Sequence, residues 1–314
     1  MKGKTLLLAI CFVVFWNSGF IGADYVLPQT EPFTLLFWRY LGLSGLLFLY
    51  LAIRKKLYWP GWRTVAPNMV IGFLAHGVWL CCTFFAFKNG VPAGMVALVI
   101  ALQPITTGAL SGIITGEKTN KLQWLGLVIG FIGVAVSVTF RMQTDSDASL
   151  FGYLILLGSV FSISIASLVQ RQMELSKATN KLETDQSLFY QSIATTAGAV
   201  LPAVFVEQLP TDWDLNFVLS LSWLIVGVSL IAYGLMWKLI ERISATKVSS
   251  LFYLGPPVTM IMAWILLGDE IELTDIVGLV IVFIGLALTQ FDMAKLQQLP
   301  KKAEDLLSNR KTKQ

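Results

Sequence analysis

Charge is scarce in this chain. Only 13% of its 314 residues are Asp, Glu, Lys or Arg, about half of the roughly 25% found in soluble domains. So few charged side chains cannot cover a water-exposed surface, and the apolar surplus must face something other than water. Histidine occurs once, so no His-based metal site can be assembled, and no cofactor is expected. The three cysteines, Cys11, Cys81 and Cys82, all lie inside apolar runs, which excludes a disulfide framework and leaves them as small buried hydrophobes. The basic residues form no stripe interleaved with aromatics, so nucleic acid is not an expected partner.

What is present is long apolar runs: hydrophobic residues make up 55% of the chain and mean hydropathy is +0.70. A hydrocarbon core about 30 Å thick takes roughly 20 apolar residues per helix. Ten segments qualify: 5–26, 32–53, 65–87, 93–115, 122–140, 150–170, 186–206, 217–240, 248–267 and 273–291. The seventh is the most polar. The first follows Lys2 and Lys4 but is too long for the core of a cleaved signal, so it is expected to be a membrane helix. The chain from residue 292 to 314 is a polar, basic tail.

Basic residues give the orientation. With the N-terminus in the cytoplasm, twenty of the 23 Lys and Arg fall in cytoplasmic segments. Only Lys88 and Arg141 fall outside, and Arg39 lies within the second helix. This asymmetry predicts a multi-pass protein of the cell inner membrane with both termini cytoplasmic.

The sequence also repeats. Residues 126–136 read GLVIGFIGVAV and residues 278–288 read GLVIVFIGLAL. Pro104 and Glu117 are matched by Pro257 and Glu270, and Leu36-Phe37-Trp38 by Leu188-Phe189-Tyr190, in nearly the same register. Each unit carries five helices, an odd number, so the second copy must enter the membrane from the opposite side. The expected fold is an all-α polytopic membrane protein of ten transmembrane helices, built as two inverted five-helix repeats over residues 5–140 and 150–291. Inverted repeats are the signature of secondary transporters, because two opposed copies can open one central site to either side.

Several motifs point the same way. The run Phe15-Trp16-Asn17-Ser18-Gly19-Phe20-Ile21-Gly22-Ala23, then Glu31-Pro32-Phe33-Thr34 and Arg39-Tyr40, resembles the first helix pair of the EamA-type drug/metabolite transporter superfamily. Pro92-Ala93-Gly94, Leu102-Gln103-Pro104, Gly116-Glu117, Tyr253-Leu254-Gly255-Pro256-Pro257 and Gly268-Asp269-Glu270 continue the resemblance over residues 5–291. It implies ten helices, cytoplasmic termini, a central cavity shared by two repeats, and export of amino acids, metabolites or drugs.

Polar and aromatic residues on one face of a membrane helix usually point into a bundle or cavity. Gly72, His76, Trp79 and Thr83 share such a face, as do Ser187, Gln191, Thr195 and Gly198, and Ser222, Ser229, Tyr233 and Trp237. With Ser159 and Ser162 of the sixth segment, and with Trp16, Asn17, Gln103 and Tyr253, these form the expected lining of a substrate site. The competing expectation is helix packing, which uses the same residue types. His76 could bind substrate, carry a proton or sit as a hydrogen-bonded neutral imidazole. Arg39 could snorkel, hold structure or bind a substrate carboxylate. Pro104, Pro256 and Pro257 should kink their helices. Gly126, Gly130 and Gly133, and the row Gly108, Gly112 and Gly116, allow close helix approach and are expected to serve packing, with the fifth and tenth helices as the place for any homodimer contact.

No carboxylate falls mid-helix: Asp24, Glu117, Glu207, Asp269 and Glu270 all lie near ends. That disfavours a cation/proton antiporter and suits a neutral, zwitterionic or amphipathic, amino-acid-like solute. A proton-coupled drug exporter using His76 is the alternative. Residues 112–119 only faintly resemble a phosphate loop, with three residues between the glycines and Glu117 breaking the motif, so an ATP-driven pump is excluded. One His without a nearby acid leaves little for an intramembrane enzyme, and no charged ring suggests an ion filter.

Overall fold

The computed structural model describes residues 3–89, 91, 96, 99–139, 150–176, 182–267 and 273–290. The expectations on Pro92-Ala93-Gly94, Arg141, Gly268-Asp269-Glu270 and the tail 292–314 lie outside the described residues. Among those residues there is helix and turn, with a single isolated bridge between Thr30 and Thr211.

The helices, in chain order, begin with α1 (Gly3–Val26) and α2 (Pro32–Ile53). Next comes α3, running Trp62–Gly72, through a π-helical stretch Phe73–Val78, to Trp79–Lys88. Then follow α4 (Gln103–Ile114), α5 (Lys121–Thr139) and α6 (Leu150–Leu175). α7 runs Thr184–Leu201 and ends in a π turn, Pro202–Val206. α8 runs Leu215–Trp223, π-helical Leu224–Ala232 and Tyr233–Arg242. α9 runs Ala245–Ser249, a tight 3₁₀ stretch Ser250–Leu254, then Gly255–Leu267, and α10 is Leu273–Gln290. Six of these, α1, α2, α3, α6, α7 and α8, are long and apolar enough to cross a bilayer, and α5 and α10 carry shorter apolar stretches. The polar seventh segment is among the six.

Local chemistry explains the ends. Pro32 starts α2 where a missing N–H costs nothing. Glu183 and Gln186 form a reciprocal capping box on α7. The Asp214 carboxylate accepts the Phe217 N–H at 2.6 Å and caps α8. The prolines mark breaks, as expected. Pro104 sits in the first turn of α4, and Pro256-Pro257 opens the last part of α9 just after its 3₁₀ stretch.

Two helix pairs organise the bundle. α5 lies on α10 through glycine. A Cβ on Gly126 would stand 2.5 Å from Thr289 Oγ1, and one on Gly133 would stand 2.7 Å from the Val282 N. The row Gly126, Gly130, Gly133 therefore faces α10 of the same chain, and its partners fall from Thr289 to Gly278 as the numbers rise, so the pair is antiparallel.

α2 and α7 are antiparallel too, and pinned at both ends. At one end the Glu207 carboxylate accepts the Phe33 and Thr34 N–H groups and the Thr34 hydroxyl, at 3.1, 2.7 and 2.9 Å. A carboxylate there satisfies the free N–H groups of α2 and its dipole. At the other, basic end Lys56 pairs with Glu183 and the Gln186 amide donates to the Lys56 carbonyl. Also at that end, Arg171 of α6 grips Glu117 at 2.6 Å and donates to the Ile240 carbonyl of α8. α1 packs against α8 and α9, while α6 packs against α3 and α4.

Candidate functional site

At mid-length of α3 and α8 the regular helix gives way to π-helix, and there the polar residues converge. π stretches recur at functional sites because each frees backbone groups and re-aims side chains. α3 can reach α7 only because residue 72 is glycine: a Cβ there would overlap the Gln191 backbone.

His76, 1% exposed, lies at the centre. Its Nδ1 is 3.0 Å from the Tyr40 hydroxyl and its Nε2 is 3.1 Å from Gln191 Oε1. The directions of these bonds follow from chemistry. The Trp237 indole can only donate, and it donates to Gln191 Oε1 at 3.0 Å. The amide orientation is thereby fixed. His76 then donates from Nε2 and, as a neutral imidazole, accepts the Tyr40 proton at Nδ1. The Gln191 Nε2 donates onward to Ser187 at 2.9 Å, Ser187 donates to the Asn68 oxygen, and Asn68 donates to the Thr64 carbonyl. Tyr233 packs edge-on to His76 at 3.9 Å between ring centroids and donates its hydroxyl to the Ala75 carbonyl.

Beside this network stands an aromatic group. Trp16 of α1 lies 5.5 Å from Trp79, 4.9 Å from Tyr233 and 4.9 Å from Phe252, measured between ring centres. Arg39 is buried beneath α8, donating from Nε to Ser229 at 2.6 Å with its guanidinium 5.6 Å from the Tyr40 ring. It does not snorkel.

Seven of the expected residues thus meet: Trp16, Arg39, His76, Trp79, Gln191, Tyr233 and Trp237. Three stand apart from the His76 network. Asn17 donates to the Val13 carbonyl of its own helix and accepts from Thr259 of α9 at 3.3 Å. Tyr253 turns to α5, with its hydroxyl on the Leu127 carbonyl and its ring against Gly130. Gln103 is 1% exposed and neither atom of its amide has a partner among the described residues. Of the serines, Ser159 binds Thr83 at 3.0 Å and Ser162 binds its own helix. Ser222 and Gly198 are exposed and do not share the buried face. For Ser222 the π stretch Leu224–Ala232 intervenes and shifts the register that the 3.6-residue spacing assumed.

Sequence reading missed Tyr40 as a site residue, and it missed Asn68 and Phe252. A signal existed for Tyr40, which stands in the buried stripe Leu36, Tyr40, Leu43, Leu47, Leu51 of α2, a helical spacing.

Apolar helices of spanning length around a buried, aromatic-walled polar centre define a multi-pass membrane protein of the transporter class. The EamA-like transporter family model matches residues 3–139 and again 150–291, and the chain belongs to that family. A "Probable amino-acid metabolite efflux pump" of Escherichia coli (strain K12) is 25% identical, the match covering 93% of this chain and 97% of that protein. "Protein PecM" of Dickeya dadantii (strain 3937) is 26% identical over 88% of each. A solved structure titled "Crystal structure of protein" superposes with a TM-score of 0.73 at 17% identity, covering 92% of this chain and 97% of the other; it speaks for the fold alone.

Proposed function

We propose that this protein is a secondary carrier that exports a small neutral, zwitterionic or amphipathic, amino-acid-like metabolite across the inner membrane by alternating access. The observation that carries the proposal is the aromatic group Trp16, Trp79, Tyr233, drawn from three helices onto a polar network at the π-helical level. Such a mixture of ring surface and few fixed polar groups suits a small organic solute.

Ten crossings in two opposed repeats are part of the same proposal. Support comes from the antiparallel pairs α2–α7 and α5–α10, each joining corresponding helices of the two halves. Exchanging halves also turns the α6 contacts with α3 and α4 into the α1 contacts with α8 and α9. Twofold matching of the family model agrees with it, and the export reading draws on two relatives that are each named "Probable amino-acid metabolite efflux pump". Cytoplasmic termini follow from the basic-residue asymmetry. The substrate residues proposed are Trp16, Asn17, Arg39, His76, Trp79, Gln103, Gln191, Tyr233, Trp237 and Tyr253. The sealed Gln103 amide needs a partner that solute or water would supply. Between the two coupling ideas, solute exchange is favoured over proton coupling through His76, because both imidazole nitrogens are already bound. A homodimer is proposed to use a face other than the Gly126–Gly133 row, which is occupied within the chain.

Inverted membrane vesicles test direction. Vesicles containing the protein should accumulate a labelled amino acid from a panel faster than vesicles without it, while right-side-out vesicles lose it. Equal accumulation with and without the protein, for every member of the panel, contradicts the proposal.

A further inference from the structure

Among the described residues, Arg39 is the one full positive charge on a buried side chain. It is 6% exposed, in a helix that starts only about 10 Å away at Pro32, seven residues earlier. A guanidinium carries five N–H donors and cannot deprotonate. Here one of the five is used, by Ser229 at 2.6 Å. The four on the terminal nitrogens have no hydrogen-bond partner among the described residues. Among the described residues no carboxylate is shown paired with Arg39; the ion pairs Lys56–Glu183 and Arg171–Glu117 both lie at the basic end. The Tyr40 face, 5.6 Å away, gives a cation–π contact but takes no hydrogen bond from the fork.

The other polar groups around the site contrast with this. His76, Gln191, Trp237, Ser187 and Asn68 are bonded to one another, with Tyr40 on His76 Nδ1 and Tyr233 on the Ala75 carbonyl. An uncompensated charge in a membrane interior is costly and persists where function needs it. The surroundings also rule out several partners. His76 offers no anion, since it is neutral and fully bonded. Tyr233 spends its proton on Ala75. Arg39 lies against the Tyr40 ring, the Tyr40 hydroxyl meets His76, and His76 is 3.9 Å from Tyr233 between ring centres, while Ser229, which Arg39 holds, stands about one helical turn before Tyr233 on α8. The empty half of the guanidinium fork therefore belongs to the same neighbourhood as the ring surfaces of Tyr233 and Trp16.

We propose that Arg39 anchors the carboxylate of the transported solute. This rests on the carrier reading and narrows it: the solute carries a carboxylate, held in two parallel N–H to O bonds, while its apolar remainder lies against Trp16, Trp79 and Tyr233. Amides and esters of the same solute lose the anchor. A lysine would restore charge without the fork.

Chemical labelling tests the anchor without needing flux. Phenylglyoxal reacts with free guanidinium groups and is small and aromatic enough to enter the site. The full-length protein in membrane vesicles is treated with it, and modification of Arg39 is read by peptide mass spectrometry. Arg39 is expected to react, and phenylalanine or phenylacetate at millimolar concentration should slow the reaction at least fivefold. Phenylalaninamide and phenylacetamide should slow it less than twofold. The reaction of Arg54, at the exposed end of α2, should be unaffected by all four. No reaction at Arg39, no protection by either carboxylate, equal protection by the amides, or equal protection by chloride at matched ionic strength each overturns the proposal.

Counterflow separates this failure from failure of the carrier reading. Exchange of phenylalanine and phenylalaninamide at equal rates leaves a carrier but no carboxylate anchor. In Arg39→Gln, whose folding is checked by its melting temperature, the preference for acid over amide should collapse to within twofold, and Arg39→Lys should recover only part of it. Retained preference in Arg39→Gln also overturns the proposal.

Discussion

Replacing Gln191 with leucine tests whether the polar centre holds the bundle together. Leucine nearly matches the volume but offers no hydrogen bond. Gln191 makes three: it accepts from His76 at 3.1 Å and Trp237 at 3.0 Å and donates to Ser187 at 2.9 Å. Ser187 keeps its own bond to Asn68, so its loss is small. His76 and Trp237 are each 1% exposed, and their N–H groups would be left with no acceptor and no water. An orphaned buried donor costs about 1–3 kcal/mol. Hydrogen bonds in membrane helix bundles average only about 0.6 kcal/mol, with a maximum near 1.7, because the unfolded chain finds other partners. Two orphans thus give roughly 1–3 kcal/mol. At about 2 °C per kcal/mol for a large chain, the melting temperature in detergent should fall by about 2–6 °C. Gln191→Glu keeps an acceptor for both donors and should recover most of the loss. A Gln191→Leu protein melting within 1 °C of the parent would refute the fixed-tautomer network.

Other consequences follow from the same geometry. Trp16→Ala removes four ring contacts and should raise the counterflow KM by about tenfold, while leaving membrane insertion intact by protease protection. Gly130→Leu drives a side chain into Tyr253, where even a Cβ would stand 2.5 Å from the ring. Overpacking of this kind costs about 1–3 kcal/mol or more and should show as a lower melting temperature. His76→Gln should leave the pH profile of flux unchanged between about pH 5.5 and 8, and a shifted profile would revive proton coupling through His76. Glu183 holds the Lys56 ammonium above its usual 10.5. Stability from that pair is fully present below this value and lost as pH climbs through the raised one. The pair is solvated, so Glu183→Gln should leave melting at pH 7.5 within error.

Helix positions were legible because lipid imposes a simple rule: backbone polar groups must be satisfied within a segment about 20 residues long. α2 begins and ends where expected, and α5, α7 and α8 differ from their expected bounds by one or two residues. α6 runs on to Leu175, five residues past the expected end, where Gln170 donates on to Glu174 one turn later and Arg171 reaches across to Glu117. Periodicity could not reveal the π stretches, since a 3.6-residue count assumes the regularity that they break. Ser222 was misplaced for that reason. Burial was legible for nearly all the site residues, but partnership was not. Tyr253 has the polarity of a lining residue, yet its hydroxyl reaches the Leu127 carbonyl of a neighbouring helix, a contact that depends on Gly130 being bare. Tyr40 was legible as a motif member only. Its role depends on α7 and α8 bringing Gln191 and Ser229 across from a stretch of sequence more than 150 residues away.

Counterflow into proteoliposomes tests the carrier most directly. Purified protein is reconstituted, the vesicles are preloaded in turn with each of a panel of amino acids and amphipathic metabolites, and uptake of the labelled form is followed without any ion gradient. The account predicts that at least one preloaded carboxylate-bearing solute accelerates its own labelled uptake, saturably, and that Trp16→Ala weakens the exchange. Uptake that never exceeds that of protein-free vesicles for any solute, with folded protein and with or without an imposed proton gradient, would contradict it.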